Sequence, residues 1–282
     1  METLTRSLDH LCDTLQFHTG WHLKDLNTGA AAHRNGDMVV PSASTRKIAI
    51  LMAALKAAHE GRLSLDQPVV MEAKYQNNDS GCFQHFQPGF TIQFKDALTM
   101  MIIVSDNTCT GTVSDMVGLD QVNALCQSIG MKGTNHLVGV PPLGLGRKHT
   151  LDMVNTTTPN DVGLLLDMVL RGTRDASTAL MLGSTPALCQ LAVDILSWQK
   201  LRNKLPAHLP LGAKVAHKTG TGYESRNIND AGIIYQASNP LFILTAYTEH
   251  VPVELEDGTP GHWAATDLIA RLSRVCYEAL KR

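Results

Sequence analysis

The chain has 282 residues, 44% hydrophobic and 18% charged, with a net charge of −2. That balance gives no electrostatic footprint for nucleic acid or an anionic membrane surface, so neither is expected as a partner. The longest apolar tract, near Met100–Val104, is far too short to cross a bilayer.

Residues 4–15 place Leu4, Leu8, Leu11, Cys12 and Leu15 on one helical face. Gly20 opens an alternating strand through Leu26, Asn27-Thr28-Gly29 reads as a hairpin turn, and a second strand holds Ala30–Arg34. An apolar helix starts near Ser44 and ends at Gly61. Residues 63–88 are turn-rich, and a helix is expected over Ile92–Val104, breaking at Ser105-Asp106-Asn107. Two more follow, Thr108–Val117 and Leu119–Ile129, each closed by glycine. Residues 139–155 form a long loop with Pro141, Pro142, Gly144 and Gly146, and long loops in compact domains are often functional. Thr158 caps a helix with Pro159 in its first turn. A helical pattern then spans Ala176–Leu205, strands are expected at Val215–Thr221, Ala231–Tyr235 and Leu241–Tyr247, and a helix at Trp263–Leu280. Strands at both ends with helices between predict an α/β (α+β) fold with an antiparallel sheet flanked by helices and an all-helical lobe. Residues 1–60 and 205–282 are expected to form the α/β lobe, 61–204 the helical lobe, with the cleft between them.

Three short patterns carry chemistry. Ser44-x-x-Lys47 sets a serine at the start of a helix with an amine one turn on, able to take its proton. Alone the pattern is weak, for a second copy occurs at Ser197–Lys200. Ser105-Asp106-Asn107 and Lys218-Thr219-Gly220 follow in order; each alone reads as a helix break or a strand end, and a looser S-x-N recurs at Ser225–Asn227. Together they form the signature of class A β-lactamases and penicillin-binding proteins. The chain resembles the class A β-lactamase family of penicillin-recognising serine hydrolases. The 61 residues separating Ser44 from Ser105, the run Val215–Gly222, Asn229-Asp230 and the Thr156–Pro159 stretch extend that resemblance over nearly the whole chain.

The resemblance implies a mechanism. Ser44 is the nucleophile and Lys47 its candidate base, its pKa depressed by burial and by Lys218. Ser105 relays a proton to the leaving group. Asn107 orients the substrate's acyl-amide group and Lys47. Lys218, Thr219 and Thr221 receive a substrate carboxylate, and the backbone N–H groups of Ser44 and Thr221 form the oxyanion hole. Arg226 and Glu224, just beyond, would flank the site, with Arg226 expected to contact substrate. The expected partner is a small molecule, with a monomer as the default and no cofactor or metal.

One departure stands out. The family's long loop carries Glu-x-x-Leu-Asn, whose glutamate activates the deacylating water. Counting back from Thr156–Pro159, its glutamate position is Pro142 and its asparagine position Gly146, and no Asp or Glu occurs between Asp120 and Asp152. The family's arginine–aspartate staple falls on Val140 and Asn155, so a different loop shape is expected. A missing base costs about 10²–10⁴-fold in its step. The acyl-enzyme could therefore be long-lived, Lys47 or the Lys148/His149 region could serve as base, or a small acyl group could admit water from another face.

Other clusters read as structural. His18 and His22 are separated by Gly20, Cys82–His85 has no second half for zinc, His217 should point away from the cleft, and Asp106 is expected to be structural. The six cysteines are dispersed and read as reduced thiols. No apolar segment follows Met1–Arg6, so a cytoplasmic protein is expected. The sequence thus points to a serine hydrolase acting through a Ser44 acyl-enzyme on a β-lactam or related lactam, amide or ester. The alternatives are a non-turnover β-lactam-binding or sensing domain, or an intracellular esterase or amidase.

Overall fold

In chain order, helix α1 (Glu2–Asp13) leads into β1 (His18–Asp25), β2 (Ala31–Arg34) and the short β3 (Val40–Pro41). A 3₁₀ turn, Ala43–Arg46, opens directly into α2 (Lys47–His59). Then come β4 (Pro68–Val70), β5 (Thr91–Gln93), α3 (Phe94–Ile103), α4 (Asn107–Val117) and α5 (Leu119–Ser128). After the long loop follow β6 (Thr156–Thr157), α6 (Pro159–Gly172), α7 (Ala176–Met181) and α8 (Pro186–Ser197). The chain closes with β7 (Val215–Thr221), β8 (Ile228–Gln236), β9 (Asn239–Glu249) and α9 (Gly261–Leu280). This computed structural model describes all residues except 77, 78 and 143.

Strands β2-β1-β9-β8-β7 form one antiparallel sheet, so the N-terminal hairpin pairs with the C-terminal strands. Two apolar cores lie on its opposite faces. On one, Leu4, Leu8 and Cys12 of α1 meet Leu268, Ile269 and Leu272 of α9 over Trp21, Leu23 and Phe242. On the other, the sheet face offers Ala216, Ile233 and Ile243 to a helical block with α2 at its middle. Helix α2 is buried nearly all round, from Ile48 to Leu55, and that matches a sequence apolar on every face.

Several expectations shift. The helix expected from Ile92 begins at Phe94, because Thr91–Gln93 pairs with Pro68–Val70 in a two-stranded sheet. The helical pattern over Ala176–Leu205 is two helices. Gly183, at φ +60°, and Pro186 at the next helix start separate α7 from α8. Beyond Ser197 the chain leaves the helix: the Lys200 N–H donates to the Ile103 carbonyl and the Gln199 amide to the Ile102 carbonyl, so tertiary bonds replace helical ones. Thr158 caps α6 as expected, accepting the Asp161 N–H at 3.0 Å. Among the described residues no helix is long and apolar enough to cross a membrane.

Candidate active site

The loop before Ser44 is fixed from the sheet. The side-chain amides of Asn227 and Asn229 each donate to the Pro41 carbonyl at 3.0 Å. The Tyr247 hydroxyl donates to Thr45 Oγ1 at 3.0 Å, and Thr45 in turn donates to the Ser42 carbonyl at 2.6 Å. Ala43 is held at φ +44°, an uncommon conformation for a residue with a side chain, immediately before the serine. Ser44 lies in the 3₁₀ turn and Lys47 is the first residue of α2. Residues three apart eclipse on a 3₁₀ helix, so the two side chains rise from one face.

Strand β7 passes close to this turn. A Cβ on Gly220 would lie 3.1 Å from Ala43 Cβ and 3.2 Å from the Ser44 nitrogen. Glycine here lets the strand end, and with it Thr221, come alongside Ser44.

Lys47 is fully buried, and its Nζ donates to the Ser105 carbonyl at 2.7 Å, to Ser105 Oγ at 3.0 Å and to Asn107 Oδ1 at 2.8 Å. No carboxylate pairs with it among the described residues. Desolvation, then the charges of Lys218 and Arg46, push its pKa well below the ordinary lysine value. Ser105, at φ +59°, and Asn107 enter the site because Asp106 between them is fixed. Its carboxylate caps α4 through the Cys109 N–H at 3.0 Å and accepts the N–H groups of Cys82 at 2.8 Å and Phe83 at 2.9 Å.

Lys218, also buried, donates to the Thr219 carbonyl at 2.8 Å; burial first, then the Lys204 charge, lowers its pKa to about 7. Lys204 escaped the sequence analysis. Its buried ammonium donates to the Gly220 carbonyl at 2.6 Å, and to Thr221 Oγ1 and the Asn229 carbonyl at 3.2 Å, with its pKa lowered by burial to about 8. It belongs to no short motif, because its partners come from two distant strands. His217 faces away as expected, buried, with Nδ1–H donating to Asp230 at 3.0 Å.

These groups surround a cavity of about 490 Å³, lined by Ser44, Lys47, Ser105, Asn107, Thr219 and Thr221 together with loop residues Val140, Pro141, Gly144, Leu145, His149 and Asn155. Lys218 is buried and is not part of that lining. A larger, more open hollow of about 800 Å³, between α1 and β2, brings together no comparable set.

The loop wall is where the site departs from the family pattern. Pro142 and Gly146 stand at the expected glutamate and asparagine positions, and Leu143 between them lies outside the described residues. Arginines and an asparagine hold the loop, mostly by its main chain. Arg46, buried, donates to the Gly139 carbonyl, and its Nη1 has no partner among the described residues; burial lowers its pKa to about 10. Asn155 Oδ1 accepts the N–H groups of Leu137 at 2.7 Å and Val138 at 3.0 Å. Arg147 donates to the carbonyls of Glu224 and Val251, and the Tyr223 hydroxyl to that of Pro142.

Arg226 corrects an expectation. It does not line the cavity: its guanidinium donates to the carbonyls of Arg147 at 2.8 Å and of His149, and pairs with buried Glu249 at 2.5 Å. Its place is behind the loop, because the tight turn Tyr223–Ser225, with Glu224 at φ +45° and Ser225 at φ +57°, swings Arg226 inward. Glu224 does line the cavity.

Comparison with known proteins agrees with this architecture. The chain is 25% identical over 267 residues to Beta-lactamase CARB-4 of Pseudomonas aeruginosa, covering 94% of this chain and 86% of that one. It is 28% identical over 149 residues to a D-alanyl-D-alanine endopeptidase of the same species, a match covering 50% of this chain and 44% of that protein. Among solved structures, PBP-A superposes with a TM-score of 0.82 at 26% identity over 98% of this chain and 95% of that one. A leucine-to-glutamate variant of PBP-A, solved as an acyl-enzyme complex with penicillin G, superposes at 0.80 with 26% identity, over 99% and 96%. An ancestral class A β-lactamase superposes at 0.82 with 25% identity, over 98% and 100%. The family model described as the beta-lactamase enzyme family matches residues 3–280, and the chain belongs to that family.

Proposed function

We propose that this protein is a serine acyl-hydrolase that opens a β-lactam, or a related lactam, amide or ester, through an acyl-enzyme on Ser44. The observation that carries this reading is Lys47: a buried amine without a carboxylate partner, bonded to Ser105 and Asn107, in the cavity that holds Ser44. Burial favours loss of a proton from such an amine, which releases one of its three donor bonds, and the freed lone pair takes the Ser44 proton as Oγ attacks the carbonyl. The developing oxyanion accepts from the backbone N–H groups of Ser44 and Thr221. Ser105 passes a proton from Lys47 to the leaving nitrogen or oxygen. Asn107 holds both Lys47 and the acyl amide, while Thr219 and Thr221 face the substrate carboxylate and the buried Lys218, bonded to the Thr219 carbonyl, adds positive charge from beneath. A small-molecule substrate fits the cavity volume. Five of the six cysteines are buried and all are unpaired, which suits a reducing, cytoplasmic setting.

A second reading is favoured by the acid-free loop wall and by the likeness to PBP-A: one-time acylation, as in a binding or sensing domain. Intact-mass kinetics with penicillins, cephalosporins and activated esters separate the two. Consumption of many equivalents, lost in Ser44→Ala, supports the hydrolase. A persistent stoichiometric adduct on Ser44 supports the binder, and full activity in Ser44→Ala removes both.

A further inference from the structure

Among its described residues, the loop that lacks the family's glutamate has one buried side chain able to accept a proton. His149 is 8% exposed and lines the cavity. Its Nδ1 lies 2.8 Å from the Gly146 carbonyl, which can only accept, so Nδ1 carries the hydrogen. That bond assigns the tautomer of the neutral ring: Nε2 holds the lone pair, and it is buried without a partner among the described residues. An orphaned buried acceptor beside a cavity is what a bound water satisfies.

The ring is also held in place. It packs edge-on against Tyr223, with centroids 5.8 Å apart, and Gly222 and Tyr223 directly follow Thr221 at the end of β7. The His149 carbonyl is fixed by Arg226, which Glu249 holds in turn, so backbone and ring are both constrained. Asp79 and Glu224, the carboxylates lining the same cavity, are both exposed.

We propose that His149 is the general base that clears the acyl-enzyme, doing the work of the absent glutamate from a different position in the loop. This rests on the acyl-enzyme reading above. Water oxygen bonds to the acyl carbonyl carbon as one water proton passes to His149 Nε2. The tetrahedral adduct collapses, the bond from carbon to Ser44 Oγ breaks, and the proton held by His149 returns to Oγ directly or through Ser105 and Lys47. The products are a carboxylic acid and free Ser44, with no other reactant required.

His149→Asn is the informative variant, because its side-chain amide can still donate to Gly146 while the Nε2 lone pair is gone. Stopped-flow acylation by a chromogenic cephalosporin and by a nitrophenyl ester, followed by intact-mass decay of the adduct, reads the two steps separately. Acylation is expected within about twofold of wild type and adduct decay about 10²-fold slower or more. Free imidazole should restore decay in His149→Gly, an effect that a purely structural histidine would not give. A Ser44 adduct that His149→Asn clears at the wild-type rate overturns the proposal alone. So does slow decay that imidazole fails to rescue in His149→Gly. Absence of any Ser44 adduct in wild type and variant overturns the acyl-enzyme reading and this proposal with it.

Discussion

Asp106 lies between two residues of the proposed machinery and touches no substrate, so its removal tests how the site is held. In Asp106→Ala, three backbone N–H groups lose their acceptor: Cys109 at the start of α4, and Cys82 and Phe83 in the loop across from it. Asp106 is fully buried, so solvent does not readily replace the carboxylate. Loss of the cap costs about 1 kcal/mol and each newly orphaned buried donor about 1–3, so partial relaxation leaves a net loss of about 3–5 kcal/mol. That is a large part of an ordinary domain's stability of about 5–15 kcal/mol. Asp106→Asn keeps one acceptor oxygen but turns an amino group toward the other donors, and recovers only part of the loss. Urea unfolding at pH 7, followed by circular dichroism, measures both variants. The acylation rate should fall as well, since Ser105 and Asn107 enter the site through this residue. A loss below about 1 kcal/mol in Asp106→Ala, with acylation intact, would refute the reasoning.

Gly81→Ala attacks the same clasp from the loop side: its φ is +93° and a Cβ would lie 2.2 Å from Asp106 Oδ2 and 2.3 Å from its Cα. A loss of about 3 kcal/mol or more is expected, and an unchanged melting temperature would contradict it. Lys218→Met should abolish acylation yet raise stability at pH 7. Folded Lys218 titrates at about 7 and the unfolded chain near 10.5, so between those values the unfolded state binds more protons and stability rises with pH. The variant escapes that penalty, about 2–4 kcal/mol at pH 7 and vanishing toward pH 10.5, and melting curves at both ends of the window check the sign. Arg226→Met strands the buried Glu249 carboxylate and unfastens the loop at Arg147 and His149. It should cost about 3–5 kcal/mol and expose residues 139–155 to proteolysis, with Arg226→Met/Glu249→Met recovering part of the stability; unchanged nicking would speak against the clasp.

Much of this was legible in the sequence because the informative features are local. The Ser44–Lys47 spacing, the break at Ser105–Asn107 and the alternation leading into Lys218 each sit within a few residues. What the sequence hid depends on distant partners. Lys204 looks like any polar residue until Gly220, Thr221 and Asn229 supply carbonyls and a hydroxyl around it. Arg46 sits inside the S-x-x-K pattern but acts on Gly139 in a separate loop. Arg226 follows a pocket-lining turn and was expected to contact substrate, yet two left-handed residues send it behind the loop. The end of the helical pattern near Ser197 was likewise decided by carbonyls of α3.

The fastening of the long loop has a consequence for how this site can change. Arg46, Arg147, Arg226 and Tyr223 all grip carbonyl oxygens, and every residue type supplies a carbonyl oxygen. Apart from Arg147 and Asn155, whose own side chains reach out to hold it, the clasp follows the path of the loop backbone and is indifferent to the side chains along it. In a loop stapled by a charged side-chain pair, some loop positions are committed to the staple. Here Gly144 and Leu145, which face the cavity, are free of that duty. Substitutions there can reshape the wall opposite Ser44 and the choice of substrate while the loop stays in place, so new specificity can be acquired one residue at a time.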